Sequence, residues 1–189
     1  MANEQIEIRR LTKEDAQAFY RLRLEALERE PWAFSASPQE HRAMTLDADR
    51  SFVLGAWYED RLVGMAGFFQ EEGPKTRHKG RIWGVYVTQE WRSKGIARVL
   101  LSEIIGRAQA RPDLEQITLS VATSQAPAKH LYEALGFEVY GCEARAIKAD
   151  DGYVDEDLMV LRLSDKGGRP DCPTSPRSHH SMPIWCGPL

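Results

Sequence analysis

Apolar positions alternate with polar ones, shift to a helical period, and alternate again along most of this chain. IEIRRL (6–11) alternates, as a half-buried strand does. Phe19, Tyr20, Leu22, Leu24, Ala26 and Leu27 form a broad apolar stripe, which predicts a helix through residue 29. Thr12 and Asp15 would open it as a capping box, and Pro31 would end it. A second, short helix is expected over residues 36–48. SFVLGAWY (51–58) and RLVGMAGFF (61–69) predict two strands of a hairpin turning at Glu59 and Asp60. RIWGVYV (81–87) predicts a third strand, with Trp83, Val85 and Val87 on one face and Gly84 at a bulge.

Apolar residues at 96, 100 and 104, and at 97, 101 and 105, predict a helix over 95–110. EQITLSVA (115–122) predicts a strand carrying Ile117, Leu119 and Val121. Residues 126–135 predict a short helix, with Pro127 in its first turn and Gly136 at its C-terminal cap. Its Leu131 and Leu135 are expected to face inward, with Tyr132 pointing elsewhere. Strands over 137–147 and 153–163 flank the turn signal D-D-G (150–152). This order predicts one α/β domain over residues 1–163, a mixed, roughly seven-stranded sheet with helices on both faces. Periodicity stops after Leu163. Residues 164–189 are rich in Pro, Gly and Ser and are expected to form a tail with little structure of its own.

Composition narrows the function classes. A formal net charge of -3 argues against a general nucleic-acid binder. No apolar run approaches the ~18 residues that span a bilayer, and MANEQIEIRR lacks a signal-peptide layout. A cytoplasmic protein without membrane partners is expected. Three cysteines, Cys142, Cys172 and Cys186, make no disulfide framework. Cys172, His179, His180 and Cys186 are metal-ligand types, but their spacing fits no common zinc pattern, and no metal is expected.

The candidate chemistry lies at W-R-S-K-G-I-A (91–97), between a strand and a helix. A helix N-terminus presents free N–H groups and a positive dipole end, and phosphate binds there without a metal. Gly95 and Ala97 are small enough for a close backbone approach, and Arg92 and Lys94 add positive charge at the mouth. The amides of Lys94, Gly95, Ile96, Ala97 and Arg98 would then cradle a pyrophosphate. A Walker loop needs G-K-[ST], whereas this chain reads S-K-G. The dinucleotide fingerprint G-x-G-x-x-G is absent. Taken alone, the motif also fits a glycine that merely starts a helix.

R-x-x-G-x-A after a strand resembles the acetyl-CoA loop of the GNAT superfamily of N-acetyltransferases. So does the later run A-x-x-L-Y-E-x-x-G-F, here Ala128, Leu131, Tyr132, Glu133, Gly136 and Phe137. The element order over residues 4–163 is similar too. The resemblance implies the GNAT acyl-CoA N-acyltransferase fold, acetyl-CoA as cosubstrate, and an amine acceptor. It implies that strands 81–88 and 115–122 splay apart around the pantetheine arm, which pairs with the main chain of Val85 and Val87. An N–H near Val87 would polarise the acetyl carbonyl, and Tyr132 would protonate the departing sulfur. A thiolate of pKa ~8.5 and a tyrosine of ~10 make that transfer modest in cost.

Gln125 stands where the family often has Asn, at the cofactor side with Ala128. Arg81 stands where the histone-acetylating branch has a glutamate base, and arginine cannot act as one. Glu71, Glu72, Asp155 and Asp157 remain as candidate bases, none favoured over solvated surface charge. The acceptor region would draw on Glu28, Glu30, Trp32, Phe34, Glu143, Arg145, Tyr153, Asp155 and Glu156. Its acidic share points to a cationic acceptor, while Arg145 would suit a carboxylate. Family members often dimerise through the last strands, so a homodimer is compatible with this reading. Two rivals stay open, a non-catalytic acyl-CoA-binding sensor on the same fold and a nucleotide-binding protein.

Overall fold

Thr12 and Asp15 start the first helix as a capping pair should. In the computed structural model, which describes residues 6–30, 47–48, 50–149 and 152–163, the Thr12 N–H donates to Asp15 Oδ2 at 2.8 Å. The same carboxylate takes two bonds from the Arg9 guanidinium, both 2.8 Å. Arg9 in turn lies 4.3 Å from the centre of the Trp57 ring. One buried carboxylate thereby ties strand β1 (Ile6–Arg10) to helix α1 (Ala16–Arg29) and to strand β3 (Ser51–Tyr58). The Arg9 bonds hold the Asp15 carboxyl down to about 2.

The remaining strands are β2 (Asp47–Ala48), β4 (Arg61–Gln70), β5 (Lys79–Val87), β6 (Gln116–Ala122), β7 (Glu138–Ala149) and β8 (Gly152–Arg162). Helix α2 (Ile96–Gln109) joins β5 to β6, and α3 (Ala126–Glu133) joins β6 to β7. The strands form one sheet in the order β1-β3-β4-β5-β6-β8-β7, with β2 paired to β3. Every pair is antiparallel except β5–β6, whose parallel direction requires the α2 crossover. The helix expected over 36–48 falls mostly outside the described residues. Its last two described positions, 47 and 48, are strand rather than helix, held by pairing to Phe52 and Ser51. The tail over 164–189 lies outside the described residues.

Helices cover both faces. On one, Phe19, Leu22 and Ala26 of α1 pack on Val53, Met65 and Tyr86. On the other, Ile96, Leu100, Leu101 and Ile104 of α2 pack with Leu54, Phe68 and Ile117. Tyr132 of α3 joins this second cluster, which corrects the expectation that it points elsewhere, while Leu131 and Leu135 pack against the same cluster. Tyr132 is the buried residue of α3, while Leu131 and Leu135 are half-buried. Ala128, Leu131, Tyr132 and Leu135 follow one helical stripe with the tyrosine at its centre, so adjacency to Leu131 does not turn it outward.

The expected shared face of Trp83, Val85 and Val87 is also corrected, and the cause is the bulge at Gly84. Tyr86 faces Met65 and Trp83 faces Gly67, so Ala66 alone stands opposite Gly84 and Val85. Gly84 takes φ +63°, which favours glycine. The extra residue shifts the alternation. Trp83 and Tyr86 fall on the α1 face, and Val85 and Val87 on the α2 face. Trp83 fits only because its partner is glycine. Its ring lies 2.1 Å from where a Cβ on Gly67 would stand.

Gly67→Ala should therefore lower stability by about 1–3 kcal/mol in urea unfolding, and Trp83→Leu in the same chain should restore part of the loss. Asp15 predicts an acid limb. Its folded pKa lies below the ordinary 3.8, so its contribution is full above that value and fades as pH falls toward about 2. Thermal unfolding of Asp15→Asn across that window should lack this part of the pH dependence.

Candidate active site

The parallel pair β5–β6 is short. It holds only at Lys79 with Gln116, Gly80 with Ile117, and Arg81 with Thr118. Beyond these residues β5 stays paired to β4 and β6 stays paired to β8, while the two strands part from each other. This is the splay that the sequence resemblance implied. The main chain of β5 faces the opening. Val87 is opposite Gly64, and the flanking bond runs from Thr88 N to Val63 O at 2.9 Å. In an antiparallel ladder that pattern turns the N–H and C=O of Val87 away from β4, into the gap. The main chain of Val85, two residues earlier, turns the same way.

At the open end of the gap the chain makes a short 3-10 turn (Gln89–Trp91) and enters α2. Gly95 caps that helix at φ +80°, and Ser93 is also left-handed at φ +62°. The first helical bond runs from Val99 N to Gly95 O. The amides of Ile96, Ala97 and Arg98 precede it and so emerge from the helix end. Two left-handed residues one apart curl the chain tightly here, and successive N–H groups in such a turn can form an anion-binding concavity. Nothing lies within 4 Å of where a Cβ on Gly95 would stand, so the cradle opens outward. Lys94 and Arg98 are exposed beside it, with Lys94 Nζ 4.4 Å from the Trp91 ring centre. The sequence marked Gly95 for this turn. It did not mark Ser93, whose side chain carries no signal for a left-handed backbone.

Arg92 has a more specific place than general positive charge. Its Nε donates to Val87 O at 3.0 Å, and its guanidinium pairs with Glu30 Oε1 at 3.0 Å. Glu30 Oε2 accepts from Gln125 Nε2 at 3.1 Å. Glu30, at the end of α1, therefore spans from the residue group after β5 to the one after β6, across the mouth of the gap. Tyr86 OH donates to Glu25 Oε1 at 3.0 Å, and burial together with that carboxylate pushes the phenol up to about 12. The sequence places Glu30 in the acceptor region, and its link to Gln125 is not legible across so long a separation in sequence.

Tyr132 lies under the α2 face with its ring edge-on to Phe137 at 6.1 Å. Burial pushes its hydroxyl up to about 12. This corrects the modest cost expected of full proton transfer, since delivery to a thiolate of ~8.5 is uphill by roughly 3–4 pK units. The group stays protonated and suits hydrogen-bond donation. Ala128 is half-buried on the same helix.

Several candidate bases fall away from the gap. Glu71 and Glu72 follow β4 at the closed end, where Glu71 N bonds Lys79 O. Asp157 is bound to Lys129 Nζ at 2.6 Å, and Asp155 Oδ1 accepts from Arg145 N. Arg145 stacks on Tyr153, 3.8 Å from the ring centre. Trp32 and Phe34 lie outside the described residues. Cys142 is exposed on the edge strand β7. Among the described residues no group of three His, Cys, Asp or Glu side chains could hold a metal. Arg23, 4% exposed, is a buried charge that the sequence does not mark, and Glu156, 8% exposed, is expected in the acceptor region but not among the candidate bases. Arg23 Nη1 lies 3.5 Å from a Cβ position on Gly84, and burial lowers this guanidinium to about 10. Glu156 was hidden in the acidic run D-E-D, where strand alternation is invisible to polarity.

The family model described as Acetyltransferase (GNAT) family matches residues 9–137. The L-amino acid N-acetyltransferase AaaT of Escherichia coli K12 is 28% identical over 125 residues, covering 65% of this chain and 76% of that protein. Among solved structures, an N-acetyltransferase from Staphylococcus aureus Mu50 aligns with TM-score 0.74 at 20% identity, over 85% of this chain and 99% of that one. The yncA protein of Salmonella typhimurium, solved with its cofactor acetyl-CoA, aligns with TM-score 0.72 at 22% identity, over 89% and 99%. The chain belongs to the GNAT acetyltransferase family and is an acetyl-CoA-dependent N-acetyltransferase.

Proposed function

We propose that the pantetheine arm of acetyl-CoA lies between β5 and β6, and that a primary amine attacks its thioester directly. The parting of these strands after Arg81 and Thr118 carries the reading. It leaves the main chain of Val85 and Val87 turned toward a space that no strand fills. The pyrophosphate would meet the amides of Gly95, Ile96, Ala97 and Arg98, with Lys94 alongside. Arg92 and Gln125, both held by Glu30, would shape the mouth, and Ala128 would line the cofactor side.

In the reaction the amine nitrogen bonds to the acetyl carbon and the carbonyl oxygen gains charge. The Val87 N–H is oriented to hold that charge. The carbon–sulfur bond then breaks, and Tyr132 donates a hydrogen bond to the departing thiolate. The AaaT relative is named for L-amino acids, so these are the first acceptors to test, before polyamines, aminoglycosides and peptide amines. Arg145, stacked on Tyr153 and with its main chain bonded to Asp155, is a less accessible carboxylate anchor than the sequence suggested. The reading places the enzyme in the cytoplasm. Among the described residues no helix is long and apolar enough to cross a membrane. A dimer through the last strands would cover the exposed Val139 and Tyr140 of β7.

Acetyl-CoA at about a hundred times its dissociation constant should stabilise the protein by ~2.7 kcal/mol in thermal unfolding, and ATP with magnesium should not. Gly95→Glu should abolish the shift, because it puts bulk, strain and negative charge in the cradle. Tyr132→Phe should keep the shift and lower turnover by about tenfold or more. Unchanged turnover would remove Tyr132 from the mechanism and leave the sensor rival standing.

A further inference from the structure

The proposed reaction leaves one demand unmet, since an ammonium acceptor must lose a proton before it can attack. We propose that Glu156 binds the acceptor's ammonium group and takes that proton. This inference rests on the amine-acetylation reading above and assigns the carboxylate that the reading lacked.

The argument begins with register. Glu156 on β8 stands directly opposite Ala122, the last residue of β6, and its neighbour Asp157 stands opposite Val121. Residues directly opposite share a face. Val121 belongs to the α2 and α3 side, and there Asp157 meets Lys129 of α3. Glu156 therefore projects to the other face, where α1 lies. Ala122 is also at the open end of β6, beyond the three residues that pair with β5. Glu156 thus lies one strand beyond the gap, level with the part where the acetyl carbonyl is proposed to lie, with only the small Ala122 between them on the face opposite Tyr132.

The carboxylate has no bonded counter-charge among the described residues. Glu156 is only 8% exposed, yet among the described residues no hydrogen bond or ion pair engages its side chain. The residue directly opposite on β7 is Glu143, a second carboxylate. Like charges directly opposite each other destabilise a sheet, and the carboxylate keeps a path to solvent by which a ligand can reach it. The flanking Asp155 and Asp157 alternate to the other face. Among the described residues the charged groups of the α1 side include Arg23, under Gly84, Glu25, bound by Tyr86 OH and near Arg29, and Glu30, already bound to Arg92 and Gln125. A cationic amine entering from this side supplies the missing partner. On binding, one N–H proton passes to a Glu156 oxygen, the freed lone pair bonds to the acetyl carbon, and the thiolate leaves. The second proton lost by the nitrogen goes to solvent, and Glu156 releases its own after the product departs.

The test uses the full chain and an L-amino acid or amine that the wild type acetylates. In Glu156→Gln, kcat/KM for the amine at neutral pH should fall by about 10²–10⁴-fold, while the thermal shift given by acetyl-CoA stays the same. The shape of the pH profile should change as well. Wild-type kcat/KM should level off near neutrality, whereas the variant, limited to free amine, should rise about tenfold per pH unit toward the amine's own pKa. Should Glu156→Gln fail to fold, Glu156→Asp keeps the carboxylate and should keep the levelled profile at a lower rate. A Gln variant with wild-type rate and profile would overturn this assignment alone, as would an Asp variant that rises tenfold per pH unit. A wild type that stabilises with acetyl-CoA but acetylates no amine would overturn the assignment together with the reading it rests on.

Discussion

The parallel pairing of β5 and β6 ends after three residues, and the rest of the site depends on that early ending. A sheet normally continues because each backbone group left unpaired in a protein interior is costly. Here two central strands give up that pairing. β5 can do so because β4 holds its other side and the Gly84 bulge bends it. β6 can do so because β8 pairs along its whole length. The open polar edge that remains is a template for an extended ligand with amide groups of its own, which is the chemical character of a pantetheine arm.

The bulge also sorts side chains between the two faces. Without it, Trp83 and Val85 would share a side and Tyr86 would oppose both. With it, Trp83 and Tyr86 back the α1 face and the valines back the α2 face. In the proposed reading this separation divides the chemistry. The α1 face carries Glu156 and Arg23, where an acceptor would approach. The α2 face carries Tyr132 and the cradle at Gly95, where the cofactor would leave. Glu30 joins the two halves across the mouth by holding Arg92 and Gln125 together. An acceptor and a cofactor on opposite faces of a splayed sheet meet only through the gap, which suits direct transfer.

Local signals were legible in the sequence because their causes are local. Gly95 at a strand-to-helix turn, Pro127 and Gly136 at the ends of α3, and the alternation of 115–122 each reflect backbone or burial constraints within a few residues. The two packing errors arose where one residue of phase decides the outcome. A single inserted residue at Gly84 moved Trp83 to the other face, and Tyr132 proved to be the centre of the stripe that Leu131 and Leu135 only flank. The Glu30–Gln125 bond joins residues 95 positions apart, and nothing in either neighbourhood announces it. Glu156 shows a third kind of blindness. In D-E-D every position is acidic, so polarity cannot say which face each one takes, and only the register against Ala122 and Glu143 does.

The burial of Tyr132 bears on how the sulfur leaves. A phenol held at about 12 gives up its proton less readily than one in water, which weakens it as an acid. The same burial means that its hydroxyl has little water to compete for it, and hydrogen bonds to a charged acceptor strengthen in such surroundings. Charge on the thiolate grows only as the carbon–sulfur bond stretches, so a donor fixed beside the sulfur gains most at the transition state and little in the ground state. A tyrosine that shares its proton with the sulfur, without passing it on, meets that requirement.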